Sequence, residues 1–371
     1  MNQIQLPAGF RDSILDECRK KNELKQTLNA VFESYGYEEI QTPVLEFYQT
    51  YSKAFSNLND QDMYKFFDQE QDILTLRIDM TVPIARAVTT RFKDEMGPFR
   101  LRYCANVYKV RPSLSGKRSE VMDCGVELIG LDHHADLEVL ACALEALNAL
   151  NLPNFMLEIG TVQFFECACQ IADLNETARQ TLADLIDRKS LVELKEYLDT
   201  LPITNQIRTF FLNLPLLGGE KDVLEKALSL SFAPELESVV LQMKQLDAQL
   251  TELGYGGLYQ FDFGKIPHLD YYTGIIFEGF VEGVGNSVLS GGRYDKLLQV
   301  FGNDLPACGF SFKLDTLAET ISIPTKKANI QVLYPQAQIV EALKIAQKLR
   351  QKGNVELRLA NVETIYIKEE E

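Results

Sequence analysis

Basic residues are in short supply: 37 lysines and arginines face 53 aspartates and glutamates among 371 residues, a formal net charge of -16. A protein that grips RNA must neutralise phosphates with lysine and arginine, so this balance counts against tRNA or any other nucleic acid as a partner. Histidine is scarcer still, at three residues. Cys167 and Cys169 stand one residue apart, which is neither the spacing of a redox pair nor half of a zinc site, so no metal and no cofactor are expected. The seven cysteines, an odd number spread through apolar stretches, form no disulfide framework and read as reduced core residues. No segment approaches the roughly 18 apolar residues of a membrane helix, and MNQIQLPAGF lacks the basic and apolar regions of a secretory signal. A cytoplasmic chain without membrane attachment is the expectation.

What is present suits a globular protein with a large core and one or two smaller modules, at 46% hydrophobic and 24% charged residues. Ser13 and Asp16 have capping-box spacing, and Leu24, Leu28, Val31 and Phe32 then recur at helical period until Gly36. Ile40 to Leu45 is extended around Pro43, which suits a sheet edge or an interface. Two alternating stretches, Phe99 to Val110 and Val121 to Leu128, predict a hairpin closed by a polar loop. Asp123 and Glu127 then share one strand face. A leucine-rich, helical stretch follows, broken at Pro202, at Pro215 to Gly219 and at Pro234. Strands return at Leu258 to Phe263 and Leu269 to Phe280, before a glycine turn at Gly291 and Gly292 and a helix from about Tyr294. After Pro324 the pattern is strand, helix, strand and a short extended end. These divisions predict a core of residues 1–162 and 255–324, a helical insertion at 163–254, and a small α/β unit at 325–371.

Each candidate site residue has a plain structural reading beside a functional one. Asp79 and Thr81 precede Pro83 and a helical segment, so they could cap that helix, or converge as carboxylate and hydroxyl on a ligand ammonium. Asp123 and Glu127 could form a solvated sheet face paired with Arg100 and Arg102 across the hairpin, or line a pocket. Tyr271 and Tyr272 fit ordinary β-propensity. Lys117 and Arg118 read as solvated loop charge.

HLDYYTGIIFEGF (His268 to Phe280), SGGRYDKLL (Ser290 to Leu298) and ACGFSFKLDTL (Ala307 to Leu317) resemble the histidine-specific half of histidyl-tRNA synthetases. LRIDMTVPIARA (Leu76 to Ala87), DCGVELIG (Asp123 to Gly130) and IQTPVLE (Ile40 to Glu46) extend the resemblance to everything but the helical stretch and the tail. It implies an α+β fold of class II aminoacyl-tRNA synthetase type: an antiparallel sheet flanked by helices, with a helical insertion and a short C-terminal β-α-β unit. It also implies self-association through the first helix and the strand near Pro43. The family's histidine pocket carries over to Asp79, Thr81, Glu127, Tyr271 and Tyr272, with Asp123 standing where the family has glutamine.

The departures bear on activity. Activating an amino acid with ATP needs positive charge on the phosphates as pyrophosphate leaves. At three positions where the family places arginine this chain has Tyr108, Pro267 and Thr316, and Val110 replaces the accompanying glutamate. Losing one such donor typically costs about 2.7 to 4 kcal/mol of transition-state stabilisation, so loss of all three implies no catalytic residues of adenylation. The tail is also too short for an anticodon-binding domain. The chain is similar to the inactive synthetase relatives that regulate ATP phosphoribosyltransferase. That likeness implies a short-form catalytic subunit as partner, L-histidine as feedback effector and a place in histidine biosynthesis. An altered synthetase still forming histidyl-adenylate is the enzymatic alternative.

Overall fold

The computed structural model describes residues 6–55, 58, 60–111, 117–132, 134–266, 272–320 and 330–369. By its contacts the chain divides into two units, Met1–Ile321 and Ser322–Glu371.

The larger unit is built on a sheet with nine strands among the described residues. Their order is Glu38–Glu39, Phe99–Tyr108, Glu120–Ile129, Ala307–Lys313, Leu289–Arg293, Ile275–Val281, Phe155–Thr161, Tyr259–Asp262 and Gly218–Gly219. Neighbours run antiparallel except Glu38–Glu39 beside Phe99–Tyr108 and Phe155–Thr161 beside Tyr259–Asp262. Side chains alternate between faces, so the two faces of the hairpin lead to different cores. Cys124, Val126 and Leu128 join Leu24, Leu28 and Phe32 of the first helix and Leu140 and Leu144 of helix His134–Ala149. On the other face Leu101, Tyr103 and Val107 meet Val82, Ile84 and Val88 of helix Thr81–Arg91. The helices between Val162 and Glu252 add Phe164, Leu182, Phe210 and Leu246 to the first of these cores.

The first helix, Asp16–Ser34, carries Asp16 and Glu17 in its first turn, where they favour the helix dipole. It ends ahead of Gly36, whose φ of 79° suits a residue without a Cβ. The expected capping box does not form. Leu15 is the N-cap, and the Ser13 hydroxyl instead donates to Glu17 Oε1 at 3.0 Å. The extended segment around Pro43 is fixed by the buried Arg77, which donates to Asn106 O and Thr42 O, each at 2.8 Å. Beyond it, Leu45–Phe47, Ile73–Leu76 and Lys65–Phe67 form a separate small antiparallel sheet.

Gly291 and Gly292 lie inside strand Leu289–Arg293, not in a turn. A Cβ on Gly292 would meet the Tyr272 ring at 2.7 Å, so close strand packing rather than chain reversal demands glycine there. The expected helix from Tyr294 shortens to a 3₁₀ turn at Leu298–Phe301.

In the smaller unit Ile330–Tyr334 lies between Val355–Leu359, parallel to it, and Tyr366–Glu369, antiparallel. Helix Ile339–Leu349 buries Ala342 and Ala346 against Val332.

Candidate functional site

Hairpin register decides where the acidic residues go. Asp123 lies opposite Ala105 and Glu127 opposite Leu101, so both side chains share the face that packs toward helix Thr81–Arg91. Arg100 and Arg102 point to the opposite face. The expected cross-hairpin pairs are absent because Arg100 forms a two-point pair with Glu138, while Arg102 donates to Glu33 and Asn29.

Asp79, Thr81, Asp123, Glu127, Tyr272 and Tyr294 line a cavity of about 150 Å³. The Asp79 carboxylate accepts the Val82 N–H at 3.2 Å, so it does cap the helix start while facing the cavity. The Thr81 hydroxyl donates to Glu127 Oε1 at 2.8 Å, and the Tyr294 hydroxyl donates to Glu127 Oε2. Glu127 is only 2% exposed. Gly309 on the adjacent strand makes room for it, since a Cβ there would overlap the carboxylate. Tyr271 and Pro267 lie outside the described residues.

Desolvation dominates the electrostatics of this cavity. It raises Glu127 to about 8 against the favourable pull of its two hydroxyl donors, with the Asp79 charge adding to the rise. Desolvation also raises Asp79 and Asp123 to about 6, and in both the Lys109 ammonium is the strongest opposing influence. Three crowded carboxyls, with Glu127 held by two hydroxyls, are acceptors for N–H groups, and a ligand carrying an ammonium and a ring N–H would draw them to their ionised forms.

Sequence reasoning missed Tyr294 and Lys109 as pocket residues. Tyr294 was legible in principle: counting by twos from Ser290 through Gly292 puts it on the same strand face. Lys109 was legible in the same way, since counting by twos from Leu101 through Val107 puts it on the face that carries the cavity.

A larger cavity of about 1120 Å³ adjoins the first and shares Lys109, Asp123, Ser290 and Ser311 with it. Tyr108, at one position expected to be cationic, donates its hydroxyl to Glu120 at 3.1 Å and stacks beside Phe10. Thr316, at another, lines the cavity wall as a neutral residue. Arg118 is not solvated loop charge. Its guanidinium donates to Asp315, to Glu17 at 3.1 Å and to Glu319 at 2.6 Å. The buried Asp315 also accepts Lys21 and the Met122 N–H, at 2.5 and 2.6 Å. Arg293 of SGGRYDKLL is likewise structural, buried and bonded to Asp136 and Asp295. No group of three or more potential metal ligands occurs among the described residues, and none of their helices is long and apolar enough to cross a membrane.

Residues 9–317 match the family described as Histidyl-tRNA synthetase. A curated relative, the ATP phosphoribosyltransferase regulatory subunit of Bacillus mycoides strain KBAB4, is 33% identical over 95% of this chain and 86% of its own length. Among solved structures, an ATP phosphoribosyltransferase regulatory subunit/histidyl-tRNA synthetase from Bacillus halodurans superposes with a TM-score of 0.87 and 32% identity, covering 97% of this chain and 94% of that one. Histidyl-tRNA synthetase from Nostoc sp. PCC 7120 shares the fold, with a TM-score of 0.81 at 24% identity over 98% of this chain and 88% of that one. With a synthetase-type sheet and relatives of that name along almost its whole length, the chain belongs to the family of ATP phosphoribosyltransferase regulatory subunits.

Proposed function

We propose that this chain regulates a short-form ATP phosphoribosyltransferase catalytic subunit in the first step of histidine biosynthesis, and that L-histidine in the smaller cavity is the inhibitory signal. The carrying observation is the contrast between the two cavities. The smaller gathers Asp79, Thr81, Asp123, Glu127 and Tyr294 around a space for an amino acid with a basic ring. The larger is lined by Thr316 where adenylation would need positive charge, Tyr108 at a second such position is neutral and donates to Glu120, and Arg118 is committed to carboxylates. On this reading the reacting groups belong to the partner. Histidine acts by binding the inhibited arrangement of the complex more tightly, and a coupling of about 1 to 3 kcal/mol would change activity roughly 5- to 150-fold.

Self-association is part of the same proposal. One face of the small sheet carries exposed Leu45, Phe47 and Phe66 beside the Pro43 segment, an apolar surface suited to burial against a second copy. The solution mass of the chain tests this part, and a strictly monomeric protein would refute it.

The functional test measures phosphoribosyl-ATP formation by the catalytic subunit, with and without this chain, across a histidine titration. Activation that histidine reverses is the expected result. No effect of the chain on a well-folded catalytic subunit rejects the regulatory reading. Histidine-dependent exchange between ATP and pyrophosphate would instead establish the adenylate-forming alternative.

A further inference from the structure

Lys109 stands at the junction of the two cavities and lines both. It follows directly on strand Phe99–Tyr108, and its N–H bonds to Ser119 O at 2.8 Å, so the backbone that carries it is anchored across the hairpin mouth. Its side chain is half-buried and makes no hydrogen bond or ion pair with another described residue. A half-buried ammonium near two carboxyls would ordinarily close onto one of them. Here it instead acts on Asp79 and Asp123 through space, as the foremost positive charge for each.

The rest of the smaller cavity accepts protons rather than negative charge. Glu127, Asp79 and Asp123 suit an ammonium and a ring N–H, and among the described residues lining that cavity Lys109 is the only cation. Three nearby cations are engaged elsewhere. Lys313 lines only the larger cavity and donates to Ser287 at 2.7 Å. Arg118 and Arg293 are held in carboxylate pairs. An amino acid placed with its nitrogens toward the acids therefore turns its carboxylate toward Lys109, the one cation among the described residues that line the cavity.

We propose that Lys109 binds the α-carboxylate of the ligand and makes the pocket selective for a zwitterionic amino acid with a basic ring over the corresponding amine. The inference rests on the reading that L-histidine occupies this cavity, and it adds the residue that distinguishes histidine from ring-bearing amines without a carboxylate.

Titration calorimetry with L-histidine and with histamine tests it, using the full chain alone and together with the catalytic subunit. Histamine keeps the ring and the ammonium and lacks the carboxylate. The wild-type chain is expected to prefer L-histidine by about tenfold or more. Lys109→Gln should weaken L-histidine by about 10- to 100-fold, the range of a lost charge-assisted hydrogen bond, and leave histamine within about twofold. Lys109→Arg should restore much of the preference, which a purely structural role for the lysine would not predict. An unchanged histidine-to-histamine ratio in a folded Lys109→Gln protein overturns the assignment while leaving histidine binding intact. Failure of the wild-type chain to bind L-histidine in either preparation overturns the underlying reading and this inference with it.

Discussion

The two adjoining cavities share a wall and have opposite polar economies. In the smaller one, polar groups converge on the open space: Thr81 and Tyr294 hold Glu127, Asp79 caps its helix without leaving the cavity, and Lys109 stands at the mouth. In the larger one, the strongest polar groups converge on each other. Arg118, Lys21, Glu17 and Asp315 join the hairpin exit, the first helix and helix Leu314–Thr320. The lesson is that charge near a cleft is not the same as charge available to a ligand. Arg118 reads from sequence as solvated loop charge, yet its guanidinium closes a structural joint.

The largest expected effect comes from breaking that joint. Asp315→Ala would leave Arg118, Lys21 and the Met122 N–H without their shared acceptor, and removing one partner from a buried pair typically costs about 3 to 5 kcal/mol. Urea unfolding should show a loss of that order, while any retained folded protein should bind L-histidine within about twofold of wild type. A stable variant with abolished histidine binding would reverse the division of labour between the cavities.

Glu127→Gln probes the other side of the comparison. It keeps the side chain's shape and one acceptor but removes the charge that an ammonium or ring N–H would meet. A loss of about 10- to 150-fold in L-histidine affinity is expected, with little effect on the Asp315 joint. Calorimetry that finds binding unaltered would move the ligand out of this cavity.

Much of this arrangement was legible in the sequence. The hairpin, the first helix, the broken helical stretch and the strand-helix-strand tail follow from hydrophobic period and from proline and glycine positions. Asp79, Thr81, Asp123 and Glu127 do meet at one cavity, which alternation and resemblance implied together. What failed depended on three-dimensional neighbours. Ser13 turned from capping to Glu17, Arg100 found Glu138 on a helix rather than an acid across the hairpin, and Gly291 and Gly292 answered to strands on both sides. Arg118 was misjudged for the same reason, since Asp315 lies 197 positions away.

A pH trend separates the cavities without altering the ligand. Glu127 is raised to about 8 from an ordinary 4.5, chiefly by desolvation, so the folded chain holds a proton that the unfolded chain releases. Its contribution to stability is therefore full below about pH 4.5 and is lost as pH rises through 8. The unliganded protein's melting temperature should accordingly drift downward from pH 5 to 8.5, and Glu127→Gln should flatten that drift. A ligand ammonium or ring N–H favours the ionised carboxylate, so histidine binding near neutral pH should expel a proton, seen as an enthalpy that varies with buffer. Affinity should rise toward pH 8 by up to about tenfold per pH unit for each proton released. Equal slopes in wild type and Glu127→Gln would mean that the drift arises outside the smaller cavity.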